Sequence, residues 1–193
     1  MTTGEKMRIL LHACCGICAS SVIERILTDG HRIQVYFYNP NIHPVDEYRR
    51  RRDACKKVAG EWDVGFTEGP YDREKWFSEV RGMEYLPEGA ERCAECFRIR
   101  LERTFQKMGK DGFDAFCTTL TVSPHKDAEM VNRIGRRIGG EAFINADFKK
   151  KGGFQRANEL SSEWGLYRQH YCGCVYSEEQ MYRKSKDLKG NDR

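Results

Sequence analysis

The sequence has no long hydrophobic run and no charge of one dominant sign. No stretch of its 193 residues approaches the roughly 18 consecutive apolar residues of a membrane-spanning helix, and residues 1–7 lack the apolar stretch of a secretory signal. The 33 basic residues nearly balance 29 acidic ones, which leaves a net charge of +4. We therefore expect a soluble, cytoplasmic protein with no membrane partner.

Signatures of nucleotide binding and of multidomain organisation are also missing. There is no Gly-x-Gly-x-x-Gly and no Gly-x-x-x-x-Gly-Lys-[Ser/Thr], so neither a dinucleotide site nor a P-loop is indicated. We find no repeat, no low-complexity tract and no Ser/Gly-rich linker. The length suits one domain of about 100–200 residues. We predict a single catalytic domain over 1–193, with a polar C-terminal tail after about Lys184.

Short β-branched or aromatic runs alternate with segments of helical period. The predicted strands are Arg8–His12, Ile33–Tyr38, Val64–Thr67, Phe113–Thr119 and Phe143–Ala146. The predicted helices are Ala19–Asp29, Val45–Gly60, Asp72–Val80, Glu91–Met108, Pro124–Gly139 and Phe154–Trp164. Strands separated by helices imply right-handed crossovers and a parallel sheet. The sequence thus predicts an α/β fold with a mainly parallel sheet of about five strands flanked by helices.

Cysteine is the residue type that carries most information. The chain has nine, about 5% of its residues, whereas a disulfide scaffold has roughly 8–10%. Seven lie in three motifs, and the remaining two, Cys55 and Cys117, read as buried packing residues. Clustered cysteines in a reducing compartment more often hold metal or perform redox chemistry. The motifs are Cys14-Cys-Gly-Ile-Cys18, Cys93-Ala-Glu-Cys96 and Cys172-Gly-Cys174.

The first two motifs are suited to binding a metal cofactor. Cys14 and Cys15 follow the first predicted strand, where the N-terminus of the next helix favours thiolates. A Cys-x-x-Cys pair such as Cys93 and Cys96 serves zinc, iron–sulfur and redox centres alike. Adjacent cysteines suit the separate irons of a cubane better than one zinc ion. We predict that these four thiolates bind a [4Fe–4S] cluster, with a structural zinc site as the alternative.

The Cys172-Gly-Cys174 motif predicts a different kind of site, a redox-active pair of thiols. Residues two apart close only a small, strained and easily reduced disulfide, as expected of a shuttle for two electrons; free thiols or further metal ligands are the alternative. Cys18 has the spacing either to bind an extra metal or to resolve a disulfide. Asp147 follows the fifth predicted strand and is suited either to metal binding or to pairing with a nearby lysine.

Basic residues are bunched in the sequence and interleaved with tyrosines. Such runs can follow a phosphate backbone while aromatic rings stack on unpaired bases; equally, they can form solvated helix faces. The runs include Arg49–Arg52, Arg92 with Arg98, Arg100 and Arg103, Arg133 with Arg136 and Arg137, and Lys149–Lys151.

Taken together, six segments resemble the QueH family of epoxyqueuosine reductases, from about Arg8 to Ser177. They are Leu11-His-Ala-Cys-Cys-Gly-Ile-Cys18, Tyr38-Asn-Pro-Asn-Ile-His-Pro44, Glu91-Arg-Cys-Ala-Glu-Cys96, Thr118-Thr-Leu-Thr-Val-Ser-Pro-His-Lys126, Asp147-Phe-Lys-Lys150 and Tyr167-Arg-Gln-His-Tyr-Cys-Gly-Cys-Val-Tyr-Ser177. One departure is Gly16-Ile17, where the family usually carries Ala-Pro.

The resemblance implies a Rossmann-like (HUP-like) fold and the last step of queuosine synthesis. In that step the epoxide of epoxyqueuosine, at the wobble position of a tRNA, is reduced by two electrons to give queuosine and water, without cobalamin. By the same resemblance, a [4Fe–4S] cluster is held by four cysteines and a redox-active disulfide is formed by two. The ligands are Cys14, Cys15, Cys93 and Cys96; the disulfide joins Cys172 and Cys174.

Further expectations concern a second metal, the partners and the alternatives. An additional mononuclear iron, held partly by Cys18 or by an aspartate such as Asp147, is a candidate to polarise the epoxide oxygen. The partners expected are tRNA carrying epoxyqueuosine and an electron donor. The rival functions are a zinc-containing RNA-binding protein without redox activity and a thiol–disulfide reductase acting on other proteins.

Overall fold

The carboxyl ends of four parallel strands form the edge of the sheet at which the cysteine motifs lie. The structure, a computed structural model, describes residues 6–177; the tail predicted after about Lys184 lies outside this range. The strand order is β3-β2-β1-β4 and every pairing is parallel. The strands are β1 (Arg8–His12), β2 (Arg32–Phe37), β3 (Gly65–Glu68) and β4 (Ala115–Thr118).

Helices cover the two faces of this sheet. In the described range they are α1 (Gly16–Thr28), α2 (Val45–Glu61), α3 (Arg73–Glu79), α4 (Glu91–Asp111), α5 (Ala128–Gly139) and α6 (Gly153–Glu163), with 3-10 turns at Thr119–Val122 and Gly140–Ala142. Helix α1 packs against α2 and α6, whereas α4 packs against α5. No helix within residues 6–177 is both long enough and apolar enough to cross a membrane.

The central strand β1 is buried on both faces. Ile9, Leu10 and Leu11 are fully buried, the near-continuous apolar run expected of a strand covered by helices on both sides. His12 ends the strand, where its ring bonds Thr118 Oγ1 at 2.8 Å and the Tyr38 carbonyl at 3.1 Å. Burial, with a contribution from Arg100, lowers the pKa of His12 to about 3, so this histidine is a neutral element of the core.

The α/β class with a parallel sheet is confirmed, but the count of about five strands is wrong. The segment predicted as Phe143–Ala146 makes one isolated bridge, between Phe143 and Phe116, with the Ile144 amide donating to the Phe116 carbonyl at 2.9 Å. The Ala146 carbonyl instead accepts from the Asn132 side chain at 3.3 Å. The segment therefore leaves the sheet edge after one residue pair, and four strands remain.

Two helix starts differ from the prediction by more than one residue, and both differences bear on the site. Helix α1 begins at Gly16, three residues before Ala19. Gly16 lies so close to α2 that a Cβ there would be 2.7 Å from the Ala54 carbonyl oxygen. Helix α5 begins at Ala128 because the Asp127 carboxylate caps it by accepting from the Glu129 and Met130 amides. The residues from Pro124 to Lys126 therefore form a loop.

Two helical glycines provide a matched test of the packing. We expect Gly135→Ala to lower the free energy of unfolding by about 1–3 kcal/mol, because its Cβ would lie 2.3 Å from Phe143 Cζ. Gly60→Ala has nothing within 4 Å, so it should raise the free energy by up to about 1 kcal/mol through helix propensity. Urea unfolding of both variants measures this. Equal effects would show that α5 does not pack on Phe143 as described.

Candidate active site

The first cysteine motif follows β1 and lies buried at the carboxyl end of that strand. Cys15 is the N-cap of α1 and Cys18 lies in its first turn; both are buried, as is Cys14. The Cys14 amide donates to Thr119 Oγ1 at 3.3 Å, and the two side chains meet at 3.6 Å. The β1-to-α1 turn therefore holds three sulfur atoms beside the end of β4.

A first cavity, which we name the α4 cavity, lies at the start of α4. Its lining includes Cys93 and Cys96 of α4, Cys172 and Cys174 of the C-terminal segment, and Trp76 of α3. The Gly89 amide donates to Cys93 Sγ at 3.2 Å. The cavity thus combines the Cys-x-x-Cys pair with both members of the Cys-Gly-Cys motif.

A second cavity, which we name the β1 cavity, contains the other cysteines. Its lining includes Cys14, Cys15 and Cys18. Three residues, Cys172, His125 and Lys126, line both this cavity and the α4 cavity. Cys172 therefore lies between the two groups of cysteines that the sequence predicts to share one cofactor.

The cysteines do not form a preformed site for one metal ion. Within residues 6–177, no three side chains of Cys, His, Asp or Glu converge closely enough to hold a single ion. All nine cysteines are free thiols. The arrangement is two pairs on adjoining cavities, which differs from the single convergent point that a four-cysteine zinc site needs.

Burial keeps the paired cysteines protonated in the absence of a ligand. The pKa of Cys93 and that of Cys96 are both raised, mainly by burial. A hydrogen bond from Cys14 lowers the pKa of Cys15, but a bond from Cys18 and burial raise it by more, to about 11. A metal bound by these residues must displace their protons, so its affinity should increase with pH.

Two buried arginines bring positive charge to the α4 cavity, whose lining also includes the exposed residues Glu88 and Asp127. Arg92 and Arg100 are 1% and 3% exposed, and neither is ion-paired with a carboxylate within residues 6–177. Arg100 donates to the Cys96 carbonyl at 3.0 Å. Arg92 donates to backbone carbonyls between Met83 and Leu86 and leaves its Nε and Nη2 without partners. Because buried charges are normally paired, this cavity is suited to an anionic group.

Cys172 and Cys174 have opposite acid–base properties. The hydrogen bond between their side chains lowers the pKa of Cys172 and raises that of Cys174. Lys126 further favours the Cys172 thiolate, and the Cys174 amide donates to Cys172 Sγ at 3.4 Å. Cys172 is therefore the thiolate of the pair and Cys174 the thiol, which is the arrangement of an attacking and a resolving cysteine.

Arg51 fixes the position of the Cys-Gly-Cys segment, a role that the sequence did not reveal. Its guanidinium is buried and donates to Glu47 at 2.6 Å, to the Cys172 carbonyl at 3.0 Å and to the Tyr171 carbonyl at 2.9 Å. Tyr167 donates to the second oxygen of Glu47 at 2.5 Å. One buried ion pair on α2 thus positions the backbone before Gly173.

The Cys-Gly-Cys segment passes so close to the loop after β2 that it requires a glycine, Gly173, at its centre. Its φ of +102° is a conformation that L side chains rarely adopt, and a Cβ there would lie 2.9 Å from Ile42 Cγ1. The Gly173 carbonyl accepts from the His43 amide at 2.8 Å. The motif is therefore seated in a cradle formed by α2 and the loop after β2.

Several basic residues considered for RNA binding have structural roles instead. In the run Arg49–Arg52, Arg51 is buried and bonds Glu47 and two backbone carbonyls, an interaction that we name the Arg51 clamp. Arg49 and Arg52 form surface ion pairs. Arg98 is paired with Glu79, Glu95 and Glu102. Arg92 and Arg100 are buried. These residues therefore contribute less to a nucleic-acid surface than their number in the sequence suggests.

The remaining candidate residues divide by location. Cys18 lines the β1 cavity with Cys14 and Cys15. Asp147 accepts from the Lys149 amide at 3.3 Å and lies 3.5 Å from the Lys149 ammonium, and it lines neither cysteine cavity. Cys55 and Cys117 are fully buried and line neither cavity.

Comparison with known proteins identifies the family of this chain. The family model described as epoxyqueuosine reductase QueH matches residues 9–180. The chain belongs to the QueH family of epoxyqueuosine reductases. Its QueH relatives include that of Streptococcus pyogenes serotype M1, 41% identical over 178 residues, which cover 88% of this chain and 69% of that protein. The QueH of Thermotoga maritima is 39% identical, covering 88% of this chain and 89% of its own.

A solved structure supports the fold of this QueH family member. It is the U34-tRNA thiolase NcsA from Methanococcus maripaludis with its [4Fe–4S] cluster, with a TM-score of 0.54, covering 96% of this chain and 67% of that one. The sequence identity is 13%, so the similarity concerns the fold alone. The resemblance to QueH inferred from the motifs is confirmed, and with it the class of oxidoreductases.

The Arg51 clamp leads to a stability prediction. We expect Arg51→Met to lower the free energy of unfolding by about 3 kcal/mol, because it leaves Glu47 buried without its main partner. Arg49→Met removes an ion pair whose side chains are 60% and 73% exposed, so it should cost less than about 1 kcal/mol. Urea unfolding monitored by circular dichroism compares the two. Equal small losses would contradict the clamp.

The asymmetry of the two thiols leads to a pH prediction. In the reduced protein, Cys172 should be alkylated by iodoacetamide at neutral pH while Cys174 reacts slowly, because only the thiolate is nucleophilic. Cys174→Ala removes the hydrogen bond that lowers the pKa of Cys172, so the rate–pH curve should move to higher pH; Cys174→Ser should move it less. Mass spectrometry identifies the modified residue. Preferential modification of Cys174 would reverse the assignment.

Proposed function

We propose that this chain reduces epoxyqueuosine to queuosine at the wobble position of a tRNA. The observation that carries the proposal is the position of Cys172, a thiolate lying between two pairs of cysteines, in a member of this family. The proposed location is the cytoplasm, the reducing compartment that free thiols require. A [4Fe–4S] cluster and the Cys172–Cys174 pair are the proposed redox centres.

The residues present fit an iron–sulfur cluster. Cys14, Cys15, Cys93 and Cys96 line adjoining cavities in two pairs and would supply four thiolates, one for each iron of a cubane. The cluster with four thiolates is an anion, and the buried, carboxylate-free Arg92 and Arg100 offset negative charge at the α4 cavity. Cys18, on the same turn as Cys14, is the better placed of the two candidates for an additional mononuclear iron, because Asp147 is paired with Lys149.

A bound cluster would supply single electrons and a Lewis-acidic iron. The protein's own dithiol balances the reaction. Conversion of an epoxide to an alkene and water consumes two electrons and two protons. Formation of a disulfide from the Cys172 thiolate and the Cys174 thiol releases two electrons and one proton, and solvent supplies the second proton. An external electron donor then returns the disulfide to two thiols. Lys126 and the Cys174 amide stabilise the Cys172 thiolate, and the buried ring of Trp76 lines the α4 cavity beside the cysteines.

The decisive experiment combines a spectrum with a turnover assay. Anaerobically purified protein should be brown, with broad visible absorbance that dithionite bleaches, and should convert epoxyqueuosine-containing tRNA to queuosine-containing tRNA. Cys172→Ser and Cys174→Ser should retain the absorbance and lose at least about 100-fold in rate, because each removes one of the two thiols. Nucleoside mass spectrometry after digestion measures the product.

The control and the contrary outcomes separate the rival functions. Cys117→Ala, a buried cysteine outside both cavities, should keep both absorbance and turnover. A colourless protein with stoichiometric zinc would favour the RNA-binding alternative. A brown protein that leaves the tRNA unchanged but reduces protein disulfides would favour the thiol–disulfide reductase. Normal turnover by both serine variants would contradict the shuttle role.

A further inference from the structure

The rim of the β1 cavity carries an exposed aromatic ring that no part of the proposed reaction uses. Phe154, the second residue of α6, is 39% exposed and lines the same cavity as Cys172. Its position is fixed by the turn before it. Gly152 has a φ of +76°, and a Cβ on Gly153 would lie 1.8 Å from the Phe148 carbonyl oxygen. The turn therefore fixes the backbone from which the ring extends to line the cavity.

The charge around this ring has one sign. Among the described residues that line the β1 cavity, none is Asp or Glu. Arg168 is exposed and its only hydrogen bond in the described range goes to Asn158 Oδ1, at 2.6 Å. Neither Arg168 nor Lys126 is ion-paired with a carboxylate in residues 6–177. A cavity mouth with cations and no acid favours an anionic ligand.

Gln169 contributes an independent observation. It lines the β1 cavity, and its Oε1 atom is buried without a hydrogen-bond partner among the described residues. A buried acceptor without a donor is costly, by about 1–3 kcal/mol. A ligand with an N–H or O–H group at this position would satisfy it.

We propose that Phe154, Arg168 and Gln169 form a subsite for the nucleotide adjacent to the modified one. The base stacks on Phe154, the phosphate meets Arg168, and a nucleobase N–H or ribose hydroxyl donates to Gln169. Aromatic stacking with a nearby cation is how proteins bind unpaired bases. This inference rests on the proposed function, because the nucleotide that reaches Cys172 brings its neighbour to the rim of the same cavity.

Binding of an anticodon stem-loop RNA tests the subsite without any chemistry. With unmodified guanosine at the wobble position, Phe154→Ala should weaken binding about tenfold, whereas Phe154→Trp should restore it. Tyr85→Ala, a control that removes an 80% exposed ring outside both cavities, should have no effect. Fluorescence anisotropy with the iron-loaded protein measures the dissociation constants.

Removal of the neighbouring base provides the matching change in the RNA. Two further stem-loops each lack one base, either on the 5′ side or on the 3′ side of the wobble nucleotide. The wild-type protein should bind one of the two about tenfold more weakly than it binds the intact stem-loop. With that RNA, Phe154→Ala should cause no further loss. An unchanged affinity of Phe154→Ala for the intact RNA, or an equal loss with all three RNAs, would overturn the stacking contact.

Salt dependence tests the phosphate contact. Arg168→Gln should reduce the slope of log affinity against log salt by about 0.7, the value for one contact to a single strand. Arg32→Gln, at the amino end of β2 on the opposite edge of the sheet, should leave the slope unchanged. An unaltered slope in Arg168→Gln would remove this residue from the subsite.

Turnover, measured separately, distinguishes failure of this inference from failure of the proposed function. If wild type converts a stem-loop that carries epoxyqueuosine while the Phe154 and Arg168 variants bind RNA as wild type does, the subsite is wrong and the reductase function stands. If Phe154 contributes to binding as expected but wild type converts no epoxyqueuosine, the nucleotide subsite stands and the proposed reaction fails.

Discussion

The site depends on one buried ion pair, between Glu47 and Arg51 on α2. A buried guanidinium is costly unless its donors are used, and here they are shared among a carboxylate and two backbone carbonyls. Because those carbonyls belong to Tyr171 and Cys172, the same interaction that neutralises the charge also determines where the chain passes. Without it, nothing described in α2 would hold Cys172 between the two groups of cysteines.

The second constraint is an excess of buried positive charge. Arg92 and Arg100 line the α4 cavity and form no ion pair with a carboxylate of residues 6–177, and Lys126 lies at the wall shared with the β1 cavity. In an ordinary core this arrangement would be unfavourable. It becomes favourable when thiolates, an anionic cofactor or a phosphate occupies the cavities. Buried charge without a charged partner is destabilising in an empty cavity and favours anion binding, an arrangement that is common at functional sites.

The sequence predicted those parts of the molecule that depend on local pattern. The β1 run, the turn with Cys14 and Cys15, and the grouping of seven cysteines in three motifs all follow from neighbours in the chain. The Asp127 cap of α5 was missed by the predicted start at Pro124, although an aspartate before a helical segment is a start signal. Its consequence is that Lys126 lies on a loop at the cavity wall.

Other features depend on tertiary contacts that the sequence does not show. The four residues of the run Arg49–Arg52 are all arginines, so the sequence does not distinguish them. Only the orientation of α2 relative to a segment about 120 residues away makes Arg51 the buried member of the run. Similarly, the residue types from Phe143 onward predict a strand. The hydrogen bond from the Asn132 side chain to the Ala146 carbonyl, which the sequence does not show, lies where the chain leaves the sheet edge.

The distance along the chain between Arg51 and its carbonyl partners has a consequence for synthesis. The ribosome makes α2 and both cysteine pairs before it reaches Tyr171, so the nascent chain carries the proposed cluster ligands while Cys172 is still absent. The guanidinium of Arg51 then lacks the Tyr171 and Cys172 carbonyls that it bonds in the folded protein. Docking of the Cys-Gly-Cys segment is therefore the last contact that can complete the site during synthesis.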